Sequence, residues 1–326
     1  MPEVLMLSVR EYSVRGCFVP RPGMVYIDAD IEALELCTLA QVEIWLLNDW
    51  SKAKQLNDGL DPHCLTGCVA AGTTYRQFYS DAKGVDPETG ERCPVSKAAK
   101  TWRNLAKVPN FGKPGGMADR TLIGFARMSY GITLGATPER LRPTRLQQEA
   151  AAVQICDFWR RANPNDQEYL NAMRSTRRGD GLYHIVIGHP SVGAVIRRGK
   201  ATYCAACNSP FQGLGALAAG DITFELQRRS YSDPRSKLYG SRLVVHAYDQ
   251  WVMETPIDGV TEAAAELSHV IETVGARKIP DVKLRAPAAA SASWDKSAER
   301  VIHHQTGELL IWGTDRCQEY LAERRA

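Results

Sequence analysis

Met24-Val25-Tyr26-Ile27-Asp28-Ala29-Asp30 reads as a buried strand carrying acids at its C-terminal end. From Ile31 to Leu47 the pattern turns helical: Leu39, Val42 and Leu46 recur at helical spacing, and neither proline nor glycine interrupts. The stretch is therefore a strand, an acidic corner and a helix. Asp28, Asp30, Glu32 and Glu35 crowd that corner, and carboxylates so close repel one another unless solvated or neutralised by a cation. Two accounts stay open locally. The helix macrodipole favours acids in a first turn, which accounts for Glu32, whereas the hard oxygens of Asp30 suit a magnesium ion.

Further along, Lys100 to Gly112 reads as a basic helix. At about 100° per residue, Lys100, Arg103, Lys107 and Phe111 share one narrow face. Three cations and an aromatic ring suit a triphosphate with its base, and they equally describe a solvated basic helix. Gly112-Lys113-Pro114-Gly115-Gly116 ends it, because proline removes a donor and glycine raises the entropic cost.

A second acidic corner lies in Leu243 to Glu254. Strand-forming runs flank Tyr248-Asp249, so a hairpin with Asp249 at its tip is expected, although an acid in a tight turn is common without any function. Between the corners, Asp61-Pro62-His63 opens a helix with an Asp cap and proline at the first position. Ser80 to Cys93 reads as an exposed excursion, and helices are expected over 119–130 and 138–159. Leu182 to Gly188 reads as a strand, with sheet-like character continuing over 199–203. A long helix should run from Asn208 to about Ser230, placing Asn208 and Gln212 one turn apart. Such amides read minor-groove base edges, or Asn208 merely caps the helix. Thr261 to Val274 is a helix for the sheet, Ala286 to Ser293 a linker, and the last thirty-odd residues a small hairpin and helix.

A length of 326 residues allows one large domain or two to three subdomains, and 44% hydrophobic with 24% charged residues is an ordinary globular balance. A net charge of only +3 excludes a highly basic coating protein but leaves room for a locally basic groove. Nine scattered cysteines, an odd number, suggest free thiols in a reducing cytosol, and Cys204-Ala-Ala-Cys207 has no second pair with which to build a zinc site. With no long apolar run and no signal-peptide layout at the start, a soluble cytoplasmic protein with no membrane partner is expected, in host cytoplasm if phage-encoded.

Acid corners flanking a basic helix describe a nucleotidyl-transfer site, and the motifs resemble those of the family A, DNA polymerase I-like enzymes. Asp30-Ile-Glu-Ala-Leu-Glu35-Leu36 matches the D-x-x-x-x-E-L core of their motif A, and Arg103 to Gly112 matches motif B, R-x-x-x-K-x-x-x-F-G. Ala247-Tyr248-Asp249-Gln250 through Glu254 stands where motif C, V-H-D-E-L-V-x-E, is usual. Asn208 to Gly213 resembles N-x-x-x-Q-G, and Asp61-Pro62-His63 resembles D-I-H. The order is the family's, the likeness spans roughly residues 14–290, and Gly16 to Gly23 has the texture of tailed-phage enzymes.

The resemblance implies an α+β fold: a right-hand polymerase palm, an antiparallel sheet with helices, and an inserted, mainly helical fingers subdomain. Residues 1–60 would form the first part of the palm, 61–180 the fingers, 181–285 the second part of the palm, and 286–326 a linker and C-terminal extension. With so few residues before motif A, neither a thumb nor a 3′–5′ exonuclease is expected. The implied function is a template-directed DNA polymerase core adding deoxynucleotides to a primer 3′-hydroxyl, without proofreading and with low processivity. Asp30 and Asp249 would hold two Mg2+ ions, for which Mn2+ may substitute; with Lys107 they form the implied catalytic set. Arg103, Lys107, Phe111, Glu35 and Tyr248 would bind the incoming dNTP, with Glu35 excluding a ribose 2′-hydroxyl. Asn208 and Gln212 would contact primer-template DNA. A separate thumb, exonuclease or processivity subunit is an implied partner.

Three departures weigh against a simple transfer. Tyr248 and Gln250 replace the His and Glu of motif C, Gly115 stands where motif B usually has Tyr, and Cys204 stands where a template-contacting Arg is common. The alternative is a non-catalytic or split-replicase DNA-binding subunit.

Overall fold

The computed structural model describes residues 14–137, 139–295 and 298–324. The lead-in through Ser13, Arg10 included, and the helix start expected at Pro138 lie outside the described residues. In chain order the elements begin with β1 (Met24–Asp30), α1 (Leu34–Leu47), α2 (Ser51–Asn57), α3 (Pro62–Ala71), α4 (Tyr75–Lys83) and α5 (Lys97–Gly112). Then come α6 (Thr121–Tyr130), α7 (Arg145–Ala162), α8 (Asp166–Ser175), β2 (Tyr183–His189), β3 (Ala194–Ala201) and α9 (Tyr203–Ser232). The remainder is β4 (Arg242–Ala247), β5 (Gln250–Pro256), α10 (Val260–Gly275), β6 (Ala289–Ser291), β7 (Val301–Ile302), β8 (Leu309–Trp312) and α11 (Asp315–Glu323). The chain divides into two units: a helical one of residues 38–191 and 195–213, and a sheet unit comprising the rest of the described chain.

The sheet unit holds one six-stranded sheet in the order β4-β5-β1-β6-β8-β7, antiparallel except between β6 and β8. β1 lies inside it, with Asp30 opposite Gln250 and Asp28 opposite Val252. Val25, Tyr26, Ile27 and Ala29 are buried. α10 covers β1, β5 and β6 with Val260, Ala264, Leu267, Ile271 and Val274, a stripe at the i, i+3, i+4 spacing of a core-facing helix. The segment expected to be a linker is different: Ala289–Ser291 is strand β6, paired with β1 on one side and β8 on the other. Alanine is a weak strand former, so its local signal is poor; burial of Ala288, Ala289 and Ala290 beneath α10 supplies what propensity lacks.

In the helical unit, α3, α4, α5, α6 and α7 enclose a core of Phe78, Trp102, Leu105, Val108, Leu122, Ile132, Leu134 and Ile155. Gly67 on α3 makes this packing possible, because a Cβ there would meet the Phe78 ring at 2.4 Å. α3 begins as the Asp cap and following proline predict: the Asp61 side chain accepts from the His63 and Cys64 amides. α7 starts at Arg145, seven residues later than expected, fixed by a capping box between Thr144 and Gln147. α9 starts at Tyr203, five residues early, so Asn208 lies inside the helix and caps nothing. β2 and β3 form a separate two-stranded sheet. No helix of the described residues is long and apolar enough to cross a membrane.

Candidate active site

Asp30 is exposed at the end of β1, and Asp249 is half-buried at the β4–β5 turn. The two belong to the same corner of the sheet unit: Asp30 faces Gln250 across the strands, and the Ile31 amide donates to the Asp249 carbonyl at 3.0 Å. Burial raises the proton affinity of the Asp249 carboxyl, and the nearby Asp30 raises it further. Asp28 and Asp30 share a face, since side chains of a strand alternate. The Gln250 side-chain amide donates to Asp28 Oδ2 at 2.8 Å, a diagonal cross-strand contact. Burial pushes the Asp28 carboxyl up to about 6 even against that hydrogen bond. Glu35 lies half-exposed in the first turn of α1, in the same unit as both acids.

The turn that carries Asp249 is braced from behind. Tyr248 takes a left-handed φ of +59°, the conformation a two-residue hairpin asks of its first turn position, and its side chain is 94% exposed. His246 stacks on the buried Trp251, ring centroids 5.0 Å apart and planes 10° off parallel. His246 Nε2 lies 3.3 Å from the Tyr248 carbonyl, which can only accept, so this nitrogen carries the proton. His246 Nδ1 then accepts from the Thr223 hydroxyl at 3.3 Å, and that oxygen accepts from Trp251 Nε1 at 2.9 Å. The relay fixes the backbone just before Asp249. Glu254, at the far end of the same strand, is structural: its carboxylate accepts from Arg21 N and Nε, both at 2.8 Å.

In the helical unit, the α5 face of Lys100, Arg103, Lys107 and Phe111 is the one that stays accessible, while Trp102, Leu105, Val108 and Pro109 are buried opposite. Arg103 is engaged: its Nη2 and Nε donate to Asp61 Oδ2 at 2.6 and 2.9 Å, and Lys83 approaches the same oxygen at 3.8 Å. Asp61 therefore caps α3 with one oxygen and ties α5 with the other. Phe111 lies against His63, centroids 5.4 Å apart, and His63 Nδ1 sits 2.9 Å from the Asn110 amide nitrogen, a donor. Burial drives His63 down to about 3, so its ring is neutral at physiological pH. Asn208 donates to the carbonyls of Gly115 at 3.2 Å and Cys204 at 2.9 Å, and Gln212 is exposed one turn on.

In the sequence Asp28 stands only as one of the crowding acids, and its pairing with Gln250, the His246 relay and the Asp61–Arg103 pair are seen only in the structure. The i, i+2 spacing of Asp28 and Asp30 was a usable signal for a shared strand face. Nothing in the local sequence marks the others, whose partners lie across strands or helices.

Among the described residues no three His, Cys, Asp or Glu side chains converge as a closed metal site. Magnesium does not require one: it keeps waters and takes one or two carboxylates together with substrate phosphates. The exposed Asp30 and half-buried Asp249 fit that mode, and the oxygen-only donor set is the right chemistry for it.

The chain has the fold of a polymerase domain. Its structure is similar to the POL domain of Pol1 from M. smegmatis, solved in complex with DNA primer-template and dNTP, at a TM-score of 0.54 and 18% identity over 88% of this chain and 43% of that one. In sequence it is distantly similar to proteins named DNA polymerase I. That of Chloroflexus aurantiacus is 25% identical over 287 residues, covering 87% of this chain and 25% of the relative. Those of Caldicellulosiruptor bescii and Aquifex aeolicus are 24% and 22% identical, over 26% and 41% of their lengths. The chain thus spans about a quarter of the length of the first two relatives. No family model matches it.

Proposed function

We propose that this chain is a template-directed DNA polymerase core that joins deoxynucleotides to a primer 3′-hydroxyl, with the sheet unit as palm and the helical unit as fingers. One observation carries the reading: in a chain with a polymerase-domain fold, Asp30 at the end of β1 and Asp249 in the turn before β5, its neighbour strand, occupy one corner of the sheet.

Asp30 and Asp249 are the metal ligands in this reading. Magnesium, when bound, supplies activation of the 3′-hydroxyl and neutralises charge on the departing pyrophosphate. Lys107 grips the triphosphate, and Arg103 assists through the guanidinium N–H groups that Asp61 leaves unused. Phe111 stacks on the incoming base and sugar. Glu35 occupies the space of a ribose 2′-hydroxyl, so deoxynucleotides are preferred. Tyr248 lies at the nucleotide end of the hairpin, and Asn208 and Gln212 contact primer-template DNA.

Primer extension with Mg2+ tests the reading. Wild-type protein should add nucleotides to a primed template, and Asp30→Ala and Asp249→Ala should each lower the rate by at least about 100-fold, a scale usual for groups that stabilise transition-state charge. Gln250, in a position where an acid would add negative charge, favours one second reading: a DNA-binding subunit without its own activity. Tight binding of primer-template with no incorporation by wild type would establish that instead.

A further inference from the structure

Several arginines outside the proposed active site are neutralised in place: Arg21 by Glu254, Arg76 by Asp86 and Glu88, Arg160 by Asp119, Arg229 by Glu225 and Glu266, Arg316 by Glu308. One strip concentrates cations with few acids beside them. Between Arg174 and Ala201 the sequence carries Arg174, Arg177, Arg178, Arg197, Arg198 and Lys200 against a single carboxylate, Asp180. That is a local net charge of +5 within a chain whose total is +3, so everything else sums to −2.

The fold gathers these residues into one ribbon of the helical unit. An antiparallel bridge between Arg177 and Tyr183 sets the segment after α8 beside β2. His184 of β2 faces Gly199 of β3, its Nδ1 3.5 Å from where a Cβ would stand. Arg198 and Lys200 flank that glycine, so both sit at the ribbon end where Arg177 approaches. All six cations are exposed, and among the described residues Arg178, Arg197, Arg198 and Lys200 have no ion-pair partner. The one acid is engaged locally: Asp180 accepts from the Leu182 amide at 2.9 Å and lies 3.0 Å from His184 Nε2. The aromatic rings are also taken, since Tyr183 packs on Tyr203 at 5.5 Å and the Arg174 guanidinium covers Tyr203 at 5.3 Å.

We infer that this ribbon binds the sugar–phosphate backbone of nucleic acid, as a second, sequence-independent contact apart from Asn208 and Gln212. A row of unpaired, solvated cations gains affinity by releasing counterions from a polyanion. Protein partners instead select for buried aromatic anchors and against lysine, and here no ring is left to serve as one. The inference rests on nucleic acid being the substrate, as proposed above.

Anisotropy titrations of a labelled single strand and of a primer-template duplex, each across a series of KCl concentrations, test it. The triple variant Arg197→Gln, Arg198→Gln, Lys200→Asn removes the charge; asparagine suits position 200, whose φ is +51°. Its slope of log K against log salt should be shallower than wild type by about two to three, close to one per lost phosphate contact. Arg145→Gln, which removes a cation paired with Glu149, should leave the slope unchanged. A wild-type slope in the triple variant, on both DNAs, overturns the inference, and so does an equal loss of binding to polyglutamate, which would mark a general polyanion surface. An unchanged slope in a protein that extends primers defeats the ribbon alone. A lost slope in a protein that does not extend primers supports the ribbon and defeats the polymerase reading.

Discussion

Gln250 and Asp28 show how one substitution sets the charge of an entire corner. An acid at 250 would face two others, whereas the amide satisfies Asp28 and leaves Asp30 and Asp249 as the carboxylates without that partner. The folded protein holds the Asp28 proton up to about pH 6, against 3.8 for the free group. Stability from this group is therefore fully present below about pH 4 and lost as pH rises through 6. Gln250→Glu should sharpen that dependence. At pH 5 one proton can be shared by the two carboxyls; at pH 8 both ionise, and the loss should reach about 1–3 kcal/mol, the cost of an unmade buried hydrogen bond. Urea denaturation at the two pH values measures it, and an equal loss at both would count against the pairing.

At the scale of elements, the loop after α5 docks on α9 through bare backbone. A Cβ on Gly115 would stand 2.6 Å from Asn208 Oδ1, and one on Gly116 3.0 Å from Cys207 Sγ. Gly115→Ala should displace the Asn208 amide from the two carbonyls it serves and cost about 1–3 kcal/mol. In an Asn208→Ala background the same change should cost less, with a coupling of about 0.5–3 kcal/mol in a double-mutant cycle. Additivity would show that the contact is not the cause.

Much at this scale was legible in the sequence. The β1 strand, its acidic end, the Asp61 cap with Pro62 behind it, and the accessible face of α5 all follow from local pattern. Four features were not. β6 is alanine, which carries little strand signal until a neighbouring strand and a helix enclose it. The start of α9 at Tyr203 has no local mark, and the Tyr169 hydroxyl, 38 residues away, donates to the Cys207 carbonyl in its first turns at 2.5 Å. Arg103 reads as a free cation because its partner lies 42 residues away, and Gln250 reads as a bare substitution because its partner lies 222 away.

Over the whole molecule, pH also acts through Glu43. It is fully buried, neither of its oxygens accepts a hydrogen bond, and the nearby Lys52 is held by Asp166 at 2.6 Å. Burial pushes its carboxyl up to about 8, with Asp166 and Asp49 adding to the effect and Lys52 opposing it. Since the folded state holds a proton that the unfolded chain releases near 4.5, the contribution is fully present below that pH and lost as pH rises through 8. Glu43→Gln keeps the shape without the ionisation, so its stability should fall less than wild type between pH 6 and 8. Parallel curves for the two proteins would place the proton elsewhere.

The position of β1 inside its sheet also dictates an order of events. α2 to α8 occupy one continuous run, from Ser51 to Ser175, and can pack as soon as that run is made. β1, translated earlier, pairs only with β5 and β6, which begin at Gln250 and Ala289. At about 5–20 residues per second, the acid-bearing strand waits roughly ten to fifty seconds on the ribosome with both edges open. Those edges are templates for mispairing with other chains. The acid-bearing strand is thus enclosed only after most of the chain has been made, and yield in expression should depend on what shields it until then.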